Sequence, residues 1–106
     1  MAALDAIVAH DGLDADGRRR AATDVTEVLR GYVAARFGVP TARRTSAEVL
    51  AAPFAADATA RAALRRVFAC GDAVKFADAV PDAPALAAAL DAARAFVRAT
   101  ADGGAS

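Results

Sequence analysis

Three aspartates and two glycines fall within seven residues, Asp11-Gly-Leu-Asp-Ala-Asp-Gly17. Clustered carboxylates beside glycine are the raw material of a calcium loop. The EF-hand type takes oxygen ligands from loop positions 1, 3, 5 and 12 and a glycine at 6. With Gly17 as that glycine, Asp16 and Asp14 fall on the fifth and third positions. The first is then Gly12, which has no side chain, and the twelfth is Thr23, which offers no bidentate carboxylate. Arg18, Arg19 and Arg20 crowd the stretch with positive charge. The spacing therefore describes a turn before a helix, with its acids at the positive end of the helix dipole. No metal and no cofactor is expected.

Cys70 and His10 are the other residues with reactive potential. A catalytic thiol needs an imidazole within hydrogen-bond reach, and these two lie in different segments. Cys70 falls on the apolar side of its helix, where a free cysteine behaves as a small hydrophobe in a reducing compartment. The expectation is that His10, Cys70 and the acids lie apart. No glycine-rich phosphate loop, metal-spaced His/Cys set or nucleophile elbow occurs, so the chain reads as a non-enzyme. Thirteen basic residues balance thirteen acidic ones, which argues against a dedicated nucleic-acid binder and against a disordered tail.

The elements that must position these residues are helical throughout. A chain of 106 residues is one domain, here residues 1–100 with a frayed tail at 101–106. The apolar fraction of 57% is mostly alanine, which favours helix and lets helices approach closely. Leu4, Ile7 and Val8 place a helix over residues 2–11. A second runs from about Asp16, its N-cap, to Phe37, with Val25, Val28, Leu29, Tyr32 and Val33 on one line and Asp24, Glu27 and Arg30 facing water. Gly38 ends it as a left-handed residue, before Pro40. Thr45 and Glu48 have capping-box spacing and open a short helix that stops before Pro53. Asp57 caps a helix that buries Ala60, Ala63, Leu64, Val67 and Phe68 and wets Arg61, Arg65 and Arg66. Gly71 is expected to break it, and Asp72 to cap one further turn. Asp82, with Pro84 in the first turn, opens the last helix, which buries Leu86, Ala89, Leu90, Ala93, Phe96 and Val97 to about residue 100. The architecture is an all-α compact bundle of four main helices plus a short one. No apolar run reaches the length of a membrane span. Two apolar groups, Pro53-Phe54 and Val74-Lys75-Phe76, sit in connections and are either plugs or contacts; burial is expected for both.

Two runs carry a resemblance. They are "TDVTEVLRGYVAARFGVPTARRTSAEVL", residues 23–50, and "LRRVFACGDAVKFADAVPDAPALAAALDAARAFV", residues 64–97. The chain resembles, over about residues 16–100, the cytosolic helical domain of small bacterial membrane proteins encoded beside MoxR-type AAA+ ATPases and von Willebrand factor type A proteins, the BatD-like group and related domains of unknown function. Leu29 to Val33 with Arg36-Phe37-Gly38 match its first element, Arg44 to Glu48 its second and Cys70 to Ala77 its third. Gly71 splits the usual Cys-Asp pair. The resemblance implies a helical module at the cytosolic face of the inner membrane that contacts the ATPase or the von Willebrand factor type A protein, and it implies no catalytic residues.

The expected function is a non-catalytic protein-interaction domain of that membrane-linked system, with a cytoplasmic location. Connections on a rigid helical scaffold most often display contacts, which selects Arg43, Arg44, Phe54, Lys75 and Phe76 as interaction residues. The alternative is a small helix-turn-helix-like DNA-binding regulator that uses the helices after Thr45 and Asp57. The "APFAAD" link between them is longer than the usual turn.

Overall fold

Asp14 accepts a hydrogen bond from the Gly17 N–H at 2.7 Å from extended backbone, and this cap sets the start of the first helix, α1, Ala15–Phe37. A computed structural model describes residues 14–41, 44–52, 54 and 56–101. The expected helix over 2–11, His10, Arg43 and the 102–106 tail lie outside the described residues. Asp16 is not the cap: it sits exposed in the first turn. Both acids have the right chemistry, but capping by Asp14 adds a further two residues to the helix. At the other end Gly38 has φ +70°, and its N–H donates to Ala34 O at 3.0 Å.

The short helix α2, Ser46–Ala51, opens on a complete capping box. The Glu48 N–H donates to Thr45 Oγ1 at 3.1 Å, and the Thr45 N–H donates to Glu48 Oε1 at 3.0 Å. These bonds, backbone first, hold the Glu48 carboxyl below its usual range, with a smaller contribution from Arg44. Thr45→Ala is expected to cost about 1 kcal/mol in chemical denaturation at neutral pH. A depressed pKa stabilises the fold above the ordinary glutamate pKa, and that contribution is lost as pH falls through the folded value. The stability difference between wild type and Glu48→Gln should therefore shrink on acidification, as read by denaturation at stepped pH.

Helix α3, Ala58–Ala77, is capped by Asp57, whose Oδ1 accepts from the Ala60 N–H at 2.8 Å. It does not break at Gly71, and Asp72 caps nothing; the helix is continuous through both. Gly71 is buried against α1. A Cβ built there would fall on the Thr26 hydroxyl and lie 2.9 Å from Thr26 Cβ. The residue is glycine because two helices nearly touch, not because a turn needs it. The helix ends instead at Asp78, which adopts the left-handed conformation with φ 52° while the Ala79 N–H closes on Ala73 O at 3.0 Å. Aspartate is among the few non-glycine residues that tolerate this geometry. Helix α4, Ala83–Ala101, begins where Asp82 Oδ1 accepts from the Ala85 N–H at 2.8 Å, as its sequence predicts.

The result is all-α, and no strand occurs among the described residues. Contacts between α1 and α3 pair residue 26 with 71 and 30 with 68, so these helices run antiparallel. Those between α1 and α4 pair 22 with 86 and 32 with 96, so these run parallel. Leu29, Leu64, Phe68 and Phe96 fill the space between the three long helices, and Val49 plugs in from α2. The Tyr32 hydroxyl and Thr100 Oγ1 are 2.8 Å apart. Because Thr100 spends its proton on Phe96 O, Tyr32 is the donor. Among the described residues no helix is long and apolar enough to cross a membrane.

Arg61 does not lie on the wet side of α3. Its guanidinium donates to Leu50 O, Ala52 O and Phe54 O at 2.9, 3.2 and 2.8 Å, and its Nε to Ala56 O at 3.3 Å. It also lies 4.2 Å from the centroid of the Phe54 ring. One side chain thus gathers the chain leaving α2, where no regular ladder serves those carbonyls. Hydrogen bonds from a charged donor are each worth more than neutral ones, and Arg61→Ala should cost about 2 kcal/mol. Arg61→Lys should recover less than half of that in the same melt, because an ammonium cannot span a fan of acceptors.

Candidate interaction cleft

The α3 residues Asp72, Lys75 and Phe76 stand at i, i+3 and i+4, so an unbroken helix puts all three on one face. Across from them α1 presents Thr26, Glu27 and Arg30, and the entry to α2 presents Arg44 and Ser46. Together they line a cleft of about 530 Å³.

Its organising side chain is Arg30, another arginine that the helical period places in water. Instead its Nη1 donates to Thr41 O at 3.0 Å and Arg44 O at 2.8 Å, and its Nη2 lies 3.4 Å from Ser46 Oγ. The guanidinium carbon sits 5.5 Å from the Phe68 ring centroid. Ser46 passes its own proton to Asp72 Oδ1 at 2.9 Å. An arginine, a serine and an aspartate from three elements thus form one chain that fixes the Arg44 backbone against α1. The reach of a long aliphatic stem defeats a wet-or-dry assignment made from helical period alone.

The five residues selected from the sequence divide unequally. Arg44, Lys75 and Phe76 converge on the cleft. Arg43 lies outside the described residues. Phe54 is half-buried under Arg61, its ring 4.9 Å from Phe37, and it belongs to the α2–α3 connection. Burial was expected for Phe76 and is not found, since the side chain is 75% exposed. With the helix continuous, Val74 turns inward against Ala21, Ala22 and Leu86. Phe76, two residues and about 200° further round, turns outward. Lys75 Nζ lies 5.2 Å from the Phe76 ring centroid. Arg30, Ser46 and Asp72 were not foreseen as members of the site.

A second hollow of about 560 Å³ lies between α3 and α4, lined largely by alanines with Cys70 and Val74. Burial pushes the Cys70 thiol up from its usual value, which keeps it protonated and a poor nucleophile. Among the described residues no group of three or more His, Cys, Asp or Glu side chains is placed to hold a metal ion. The DNA-binding alternative requires arginines available to phosphate. Arg30 and Arg61 are engaged by main-chain carbonyls and Arg19 pairs with Asp78 at 3.3 Å, whereas Arg20, Arg65 and Arg66 are exposed.

Compared with known proteins, the chain matches no family model, no curated protein and no solved structure.

Proposed function

We propose that this domain is a non-catalytic protein-interaction module whose docking surface is the cleft between α1, the entry to α2 and the end of α3. The observation that carries the reading is Phe76. A large aromatic stands 75% exposed on a rigid helix, beside Lys75 and lining the same cleft as Arg44. Aromatic and cationic side chains set together on a fixed scaffold are the composition of an interface anchor. The hydrogen-bonded chain through Arg30, Ser46 and Asp72 holds the cleft in shape before any partner arrives, which lowers the ordering cost of docking. The resemblance over about residues 16–100 supplies the candidate partners, a MoxR-type AAA+ ATPase or a von Willebrand factor type A protein of a membrane-linked assembly.

A pull-down and a binding isotherm with those two cognate proteins test the proposal. Phe76→Ala should weaken binding about tenfold or more, equivalent to about 1.4 kcal/mol. Lys75→Ala should weaken it by less, and the melting temperature should hold for both, since neither side chain is in the core. Phe54→Ala serves as the contrast: it should lower stability. Unchanged binding on Phe76→Ala rejects the cleft.

A further inference from the structure

We infer that the alanine-lined hollow between α3 and α4 receives the chain's own residues 1–13, which dock there through Leu4, Ile7 and Val8. No residue lines both this hollow and the docking cleft, and its filling does not depend on a partner in the cleft.

Ala69 and Ala73 line the hollow from α3, Ala85 and Ala88 from α4, and Ala79 and Pro81 from the connection between them. Ala69, Ala85 and Ala88 are exposed, so no described residue covers them. A trough walled by small side chains leaves room for large ones, because facing layers interlock best when large residues stand against small.

Residues 1–13 lie outside the described residues; position, length and chemistry make them the occupant. The first turns of α1 are tied to the α3–α4 connection: Arg18 Nε donates to Pro81 O at 2.7 Å, and Arg19 pairs with Asp78. Pro81 is part of the hollow's lining, so the segment joins the described chain, at Asp14, beside the hollow. From Ala79 back to Ala69 the trough follows α3 for about 15 Å, which is also the length of a helix over residues 2–11. The link between that helix and α1 contains Gly12, which allows the chain to reverse. Leu4, Ile7 and Val8 recur at i, i+3 and i+4, and they are the large branched side chains for which the alanines leave room. A tethered segment meets its hollow at an effective concentration in the millimolar range, whereas a separate partner must first offset the loss of its free motion. Alanines each contribute less on burial than leucines, so this lining suits the tethered occupant.

Cys70 is the chain's single cysteine and lines the hollow, so its reaction with an aromatic disulfide reagent reads the cover directly. In the full chain, Leu4→Asp combined with Ile7→Asp should raise that rate about tenfold, with the amide NMR spectrum of the core unchanged, because the rate follows the uncovered fraction. An unchanged rate overturns the proposal. A nitroxide on Ala6→Cys in a Cys70→Ala chain tests the location, and it decides alone if the double variant unfolds. The label should broaden the amides of Ala69 to Val74 and of Ala85 to Ala89 in its own molecule. Broadening confined to another face, or none, overturns the proposal even where the thiol rate rises. The spin-labelled chain is then mixed with isotope-labelled chain that carries no nitroxide. Equal broadening in that second chain makes another copy the occupant and overturns the proposal as well.

Discussion

Gly71→Val is expected to destabilise the domain by about 3 kcal/mol or more. The first methyl-equivalent atom at this position would overlap the Thr26 hydroxyl and crowd Thr26 Cβ at 2.9 Å and Cγ2 at 3.1 Å. The hydroxyl is the far end of a side chain that is itself buried and tied to Ala22 O at 3.0 Å, so it has nowhere to turn. The two helices must part, and overpacking of this kind costs about 1–3 kcal/mol, occasionally more. Replacing glycine inside a helix normally returns up to about 1 kcal/mol, so the measured loss is net of that gain. Gly31 isolates the gain: it is an exposed interior residue of α1 with nothing within 4 Å of a built Cβ. Gly31→Ala should raise stability where Gly71→Val lowers it. Thr26→Ala in the Gly71→Val background should recover part of the loss, since it removes Oγ1 and Cγ2 but leaves Cβ. Urea titrations of the four proteins with a common slope would check the set. A Gly71→Val chain as stable as wild type would mean that α1 and α3 do not approach as described.

Phe96→Ala is expected to cost about 3–5 kcal/mol, a large share of the stability of a domain this size. Phe96 is fully buried in α4 and stands between two rings of α1. Tyr32 meets it edge-on at 5.9 Å and 80°, and Phe37 at 6.5 Å and 62°. Removing it empties the space that all three long helices enclose near the end of α1 and loosens the seat of Tyr32, whose hydroxyl reaches Thr100 on the next turn of α4. Phe96→Leu should cost much less, because most of the volume returns. Loss of near-ultraviolet ellipticity from Tyr32 ahead of the loss of helix signal would show that this end opens first.

The sequence was most legible where a single local rule decides the outcome. Gly38, the Thr45–Glu48 box, Asp57 and Asp82 each act within four residues, and each stands where its chemistry puts it. Asp14 against Asp16 was a choice between two equally capable caps, which local rules do not settle. The misread positions all depend on something distant in the chain. Gly71 carries the same letter as a helix breaker, and only its approach to Thr26, forty-five positions earlier, gives it another purpose. Arg30 and Arg61 occupy polar-face positions, and only the main-chain carbonyls on either side of α2, Thr41 and Arg44 before it and Ala52 and Phe54 after it, explain why they fold back. Phe76 was misplaced by the general rule that small domains bury their large apolar side chains, whereas its register on the unbroken α3 turns it outward. The cleft was half visible: Arg44, Lys75 and Phe76 could be picked as display positions, but their convergence required the unbroken α3.

The two arginines that hold the excursion around α2 have a consequence for how that excursion can open. Arg30 and Arg61 clasp the segment at its two ends, from α1 and from α3. Freeing either end means breaking charge-assisted bonds to main-chain carbonyls, so the excursion is held at both ends and Arg44 stays presented on the same backbone.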